Sequence, residues 1–206
     1  MSVREPAKQQ PKDFEFSSEN MKKVRKIIAN YPQGRQASAV MPLLDIAQRQ
    51  NGGWIPVLAM DKIAQILEMP YIKVYEVASF YTMYNLKPVG ENLIQLCRTT
   101  PCWLRGSDKI REACEKKLGI GLGETTSDKK FTLVEVECIG ACVNAPAIQI
   151  NDDYYEDLSP EQTDKILDSL KKGKKLPIGT QVKRINSAPV GGATTLNAKK
   201  KVDKNA

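Results

Sequence analysis

The chain is 206 residues long, 41% apolar and 27% charged, with five cysteines and no histidine. That length holds one large or two small domains with a real core, and the missing imidazole excludes Rieske clusters, histidine-ligated zinc hydrolases and serine triads. The net charge of +7 is not a nucleic-acid signal, because residues 171–206 hold nine lysines and one arginine against one aspartate and leave residues 1–170 at −2.

In chain order, residues 1–16 are polar, with two prolines and several charges, and read as a flexible N-terminal arm. A helical domain over 17–87 follows. Its first helix starts at Ser17 or Ser18 and sets Met21, Val24, Ile27, Ile28 and Tyr31 on one face before Pro32 stops it. A second spans 38–50 and ends at Gly52 and Gly53, a third opens with Pro56 at its first position and runs to Glu68, and a fourth covers 71–84 between Pro70 and Pro88. The aromatic residues Tyr71, Tyr75, Phe80, Tyr81 and Tyr84 recur at helical spacing, the pattern of core or interface packing rather than of a redox path.

Over 88–172 the period changes. Residues 92–96 and 131–137 read as strands, 106–118 as a helix closed by Gly119, 147–151 as a strand, 153–156 as a short edge strand, and 159–170 as a helix with Pro160 near its start. Gly119, Gly121 and Gly123 imitate a nucleotide loop but follow a helix instead of a strand, so they read as a helix cap and turn. The expected fold class is α/β, an N-terminal helical bundle followed by a small thioredoxin-like sheet, with Pro146 where such folds place a proline beside their active site. Residues 173–206 read as a basic extended tail, solvated rather than gripping an acidic or lipid surface. No run approaches 18 apolar residues, so no membrane span is expected.

Four cysteines form two short pairs, Cys97-x4-Cys102 and Cys138-x3-Cys142, each beginning where a strand-like run ends. The 35 residues between the pairs hold a helical crossover, and parallel strands so joined put both ends on one edge of a sheet, where α/β folds bind ligands. The spacing therefore predicts one four-thiolate centre. Disulfides are disfavoured because Met-Ser-Val-Arg-Glu opens no signal peptide. Structural zinc accepts such spacings, although the unequal pairs and the lack of a C-x2-C knuckle count against it. Cys114, with Ile110 and Leu118 one turn away on each side, reads as a small buried hydrophobe. Without a C-x-x-C motif, a thioredoxin-type thiol oxidoreductase fits least.

The runs Trp54-Ile55-Pro56, Val77-Ala78-Ser79-Phe80-Tyr81-Thr82-Met83-Tyr84, Cys97-Arg98-Thr99-Thr100-Pro101-Cys102, Glu137-Cys138-Ile139-Gly140-Ala141-Cys142-Val143-Asn144-Ala145-Pro146 and Asn151-Asp152-Asp153-Tyr154-Tyr155 carry a resemblance. Together they resemble the small thioredoxin-like 2Fe-2S subunit in the NADH-dehydrogenase module of respiratory NADH:quinone oxidoreductase (complex I), over roughly residues 17–172.

The resemblance implies that Cys97, Cys102, Cys138 and Cys142 ligate one 2Fe-2S cluster and that this chain, having no complete active site, is an electron carrier. FMN and NADH are expected on a partner flavoprotein subunit, with other peripheral-arm subunits of complex I as neighbours and the helical half serving docking. The cluster would exchange electrons with the flavin, off the main path to quinone. The implied location is the cytoplasmic side of the bacterial inner membrane, held through partners, or alternatively the mitochondrial matrix side. Three alternatives stand beside it: the equivalent subunit of an NAD-linked hydrogenase or formate dehydrogenase, a free-standing ferredoxin or redox sensor, and a zinc-stabilised docking module without redox chemistry. Backbone N–H groups around Gly140 are expected to donate to cluster sulfurs, and Arg98, beside Arg105, to raise the potential by favouring the more negative reduced state.

Overall fold

Ser17 caps the first helix, its hydroxyl accepting from the Asn20 N–H, in a computed structural model that describes residues 4–189, 191, 192 and 195. The chain divides between Glu91 and Asn92 into two units. The first holds four α-helices, α1 (Ser18–Ile28), α2 (Val40–Gln50), α3 (Val57–Leu67) and α4 (Tyr71–Phe80), with a 3-10 turn, Gln36–Ala39, leading into α2. That turn occupies the residues expected to open the second helix and sets Pro42 in the first turn of α2, where its missing N–H costs least. Leu43 and Leu44 of α2, Met60, Ile63 and Leu67 of α3, Val74 of α4 and Ile55 form the fully buried centre.

Two expectations change here. The fourth helix ends at Phe80 rather than Tyr84, because Tyr81 adopts an extended conformation. Arg4 binds the chain at that end, its guanidinium donating to the carbonyls of Ser79, Tyr81 and Tyr84. The arm is therefore docked rather than free. The Ala7 N–H donates to the Leu86 carbonyl at 2.9 Å, Gln10 Oε1 caps α3 through the Val57 N–H at 2.9 Å, and Phe16 is buried in the helical core with Phe14 packed edge-on against it.

The second unit is a five-stranded sheet, β1 (Asn92–Cys97), β2 (Phe131–Val136), β3 (Ile148–Ile150), β4 (Asp153–Glu156) and β5 (Gly179–Thr180), in the order β2-β1-β3-β4-β5. β1 and β2 run parallel, β3 is antiparallel to both β1 and β4, and β5 is parallel to β4. Three further helices accompany it: α5 (Thr100–Leu104), α6 (Ser107–Leu118) and α7 (Pro160–Lys171). α6 is the crossover from β1 to β2 and ends at Gly119, whose φ of 69° suits a residue without Cβ. α7 opens with a capping box in which Ser159 and Gln162 satisfy each other's backbone N–H. The inward residues Ile94, Leu96, Phe131, Leu133, Ile148 and Ile150 pack with Ile110 and Cys114 of α6 and Ile166 and Leu167 of α7, so Cys114 is a core residue.

The segment after α7 departs from an extended tail. Gly179 and Thr180 pair with Tyr155 and Glu156 of β4, and Arg184 forms an ion pair with Asp157. The Lys199-Lys200-Lys201 run lies outside the described residues. Among the described residues no helix is long and apolar enough to cross a membrane.

If the arm is part of the helical core, Phe16→Ala in a Trp103→Phe background, where Trp54 is the fluorescent reporter, is expected to lower the stability of the helical unit by about 3 kcal/mol in urea unfolding. A loose arm would leave it unchanged.

Candidate functional site

Parallel pairing sets Cys97, the last residue of β1, opposite Val136, the last residue of β2. The chain beyond each strand turns over the same edge of the sheet. After β1 it enters α5, an element not anticipated between the first two cysteines, with Pro101 in its first turn. This short helix carries Cys102 inward beside Cys97, and both are buried. After β2 the chain makes an exposed loop holding Cys138 and Cys142 and closes in a 3-10 turn, Cys142–Asn144. Gly140 sits in that loop at φ 85° with open space around its Cα, so its role is conformational rather than one of close packing. The Ala145-Pro146 peptide is cis.

The structure places the four predicted thiols as two pairs where β1 and β2 end. Cys138 and Cys142 sulfurs are 3.4 Å apart, Cys97 and Cys102 share one buried cluster, and charge on Cys97 acts on Cys102, Cys138 and Cys142. Ala145 and Ile139 pack against the buried pair. Cys114 belongs to the core between helix and sheet instead.

Donors converge on the same sulfurs. Burial works against the Cys97 thiolate, yet the Thr99 hydroxyl at 3.4 Å, the N–H groups of Ile139 and Thr99 and the Cys102 thiol together hold its pKa below the ordinary value. Burial, the hydrogen bond to Cys97 and its charge push Cys102 up to about 12 against the Ala147 N–H. In the exposed pair, the Gly140 N–H at 3.4 Å, then Cys142 and Thr99, lower Cys138, while the hydrogen bond to Cys138 and burial raise Cys142. Within each pair one thiol's pKa is thus held below its ordinary value and the other's is pushed above it.

Arg98 does not stand as a free charge beside this site. Its guanidinium pairs with Asp108 at 2.7 Å and Glu135 at 2.6 Å, so the first cysteine loop is tied to α6 and β2 and the positive charge is neutralised locally. The expected upward bias on a reduction potential gives way to a structural role. Arg105 donates to the Ala145 carbonyl at 3.5 Å, and Tyr154 of β4 donates to the Ile139 carbonyl at 3.0 Å, contacts no local pattern announces.

Among the described residues no three His, Cys, Asp or Glu side chains are grouped as a single-ion site. The thiols stand as two pairs, and a binuclear iron-sulfur centre takes two protein ligands per iron. An all-sulfur donor set with N–H groups aimed at it fits such a centre.

The family described as thioredoxin-like 2Fe-2S ferredoxin matches residues 24–171. The chain is 60% identical over 159 residues to a Rickettsia bellii protein named as the E component of NADH-quinone oxidoreductase, spanning 77% of this chain and 95% of that protein. It is 56% identical over 183 residues to the mitochondrial NADH dehydrogenase (ubiquinone) flavoprotein 2 of Dictyostelium discoideum, spanning 89% and 74%. Among solved structures, part of an NAD+-reducing nickel-iron hydrogenase in the air-oxidised state shares the fold with a TM-score of 0.57 at 18% identity, over 66% of this chain and 23% of that one.

In the metal-free chain, iodoacetamide at pH 7 is expected to modify Cys138 ahead of Cys142, although both are exposed, because only the thiolate attacks. The lead should shrink as pH rises through the raised pKa of Cys142, and Cys102 and Cys114 should lag throughout. Equal rates for Cys138 and Cys142 at neutral pH, read by peptide mass spectrometry, would contradict the shared hydrogen bond.

Proposed function

Because the chain belongs to the thioredoxin-like 2Fe-2S ferredoxin family, we propose that Cys97, Cys102, Cys138 and Cys142 ligate a single 2Fe-2S cluster in an electron-transfer subunit of NADH:quinone oxidoreductase. The observation that supports this reading is the placement of one thiol pair where each of the parallel strands β1 and β2 ends, at the same edge of the sheet. The cluster supplies one-electron redox chemistry when bound. The chain supplies four sulfur ligands, N–H donors at Thr99, Ile139, Gly140 and Ala147 that stabilise negative charge on sulfur, and a half-buried setting open at Cys138 and Cys142. Holding charge on sulfur with preset donors keeps reorganisation small when an electron arrives.

The redox partner in this reading is a flavoprotein subunit that holds FMN and NADH. Trp103, Leu104 and Val143, which directly follow the second cysteine of each pair, are exposed and offer an apolar rim at the site. In the helical unit Phe80 is 77% and Tyr81 39% exposed, their rings edge to face at 5.0 Å, whereas Tyr84 is buried with its hydroxyl on the Met41 carbonyl. Exposed paired aromatics of this kind are typical anchors of a protein interface. The subunit would be held at the membrane through partners, on the side where NADH is oxidised. The cytoplasmic face of a bacterial inner membrane is one setting. The mitochondrial matrix face is the alternative, since a mitochondrial relative matches as bacterial ones do.

Anaerobically purified protein is expected to hold two iron and two sulfide per chain, with the iron lost in Cys97→Ser and Cys138→Ser. NADH should bleach the visible absorption only after the flavoprotein partner is added. A zinc-loaded, colourless protein would replace this reading with a structural docking module. The double change Phe80→Ala and Tyr81→Ala should weaken capture of the flavoprotein by about tenfold or more while leaving iron content unchanged; undiminished capture would remove those rings from the interface.

A further inference from the structure

A buried arginine in a lysine-rich, polar segment is unexpected, since an unpaired charge is excluded from protein interiors. The side chain of Arg184 is nevertheless only 6% exposed, and that of its partner Asp157 10%. The pair is two-pronged, Arg184 Nε to Asp157 Oδ2 at 2.9 Å and Nη2 to Oδ1 at 2.9 Å, the fork geometry that arginine offers a carboxylate and lysine does not. Nη2 also donates to the Val143 carbonyl at 2.9 Å, in the residue that follows Cys142. Nη1 donates to the Ala188 carbonyl at 3.3 Å and closes the segment's own turn.

The neighbouring contacts run to the same place. Asn144 Nδ2 donates to the Asn186 carbonyl at 3.1 Å and to Glu156 Oε2 at 2.6 Å, and the Asp157 N–H donates to the Asn144 carbonyl at 2.7 Å. Thr180 Oγ1 donates to Asp157 Oδ2 at 2.6 Å, while β5 fixes the register of the segment on β4. Packing does not substitute for these bonds. A cavity of about 270 Å3 is lined by Ile139, Gly140 and Val143 of the loop, by Tyr154, and by Ser187 of the returning segment. The loop there borders an open pocket and is held by polar contacts.

We propose that Arg184 is a positioning residue for the Cys138–Cys142 loop, and that residues 176–188 form a clasp that holds this loop from the β5 edge of the sheet. The proposal rests on the cluster reading above for its consequence, though not for its geometry. By binding the Val143 carbonyl and Asp157 with one planar group, Arg184 fixes the turn that keeps Cys142 beside Cys138.

Hydrogen exchange on the full chain, free of metal, tests the clasp directly. In Arg184→Gln the amides of Asn144 and Ala145, bonded to the carbonyls of Ala141 and Cys142, are expected to exchange about tenfold faster, the factor for losing one bond from a charged donor. Amides of β1, β2 and α6 should be unchanged, and so should Asn144 and Ala145 in Gln181→Ala, which loosens the same segment through its bonds to Pro177 and Gly179 instead. In the iron-loaded chain Arg184→Gln, but not Gln181→Ala, should shift the midpoint potential. If Arg184→Gln also speeds exchange in α6, the protein has lost its fold and Arg184→Lys decides: loop amides alone should quicken. Unchanged loop amides, equal effects of Arg184→Gln and Gln181→Ala, or an unmoved potential would overturn the proposal. A chain that takes up zinc and no iron would fail the cluster reading alone, since the exchange measurement needs no metal.

Discussion

Parallel pairing of β1 and β2 is the constraint on which the rest of the site depends. Two strands that run the same way must be joined by a crossover, and α6 supplies it. Their carboxyl ends then lie side by side, Cys97 opposite Val136, so two chain segments distant in sequence leave the sheet at one place. Everything at the site is a local answer to that junction. α5 folds Cys102 back over Cys97, the loop around Gly140 folds Cys142 back over Cys138, and the turn before cis Pro146 brings the Ala147 N–H to Cys102. Had β2 paired in the other direction, the second thiol pair would lie at the far end of the sheet.

The chemistry of the site follows from donors rather than from neighbouring charge. No histidine is available to ligate or to carry a proton, and Arg98 is neutralised by Asp108 and Glu135. Negative charge on sulfur is instead supported by backbone N–H groups and the Thr99 hydroxyl. Such dipoles are fixed by the fold and do not titrate, which suits a centre that alternates between two charge states at constant geometry. The pairs differ in exposure, the first buried and the second open. Charge entering the site meets a low-dielectric interior on one side and solvent or a partner surface on the other.

Local signals carried much of this. The cysteine spacing, the glycine at the end of α6, Pro160 near the start of α7 and the apolar runs of β1 and β2 are short-range features, and the elements they announce fall within a few residues of their expected bounds. The misses are long-range. Arg4 on the carbonyls of α4 is a contact across 77 positions at Tyr81, and Arg184 on Val143 one across 41. In composition both look like solvated charges in polar termini, because nothing nearby in sequence shows the carbonyls or carboxylate they will meet. α5 was hidden for another reason: five residues with a proline are too few for a periodic pattern, and the helix is shaped by the need to return Cys102 to Cys97.

If the two thiol pairs hold one binuclear iron-sulfur cluster, the chain moves single electrons, and its reduced form must be paramagnetic. Low-temperature electron paramagnetic resonance of the anaerobically purified protein, reduced with dithionite, reads that property without a partner subunit. A rhombic signal from one unpaired electron per chain, absent before reduction, is expected. A silent spectrum from a colourless, zinc-containing sample would contradict the cluster assignment.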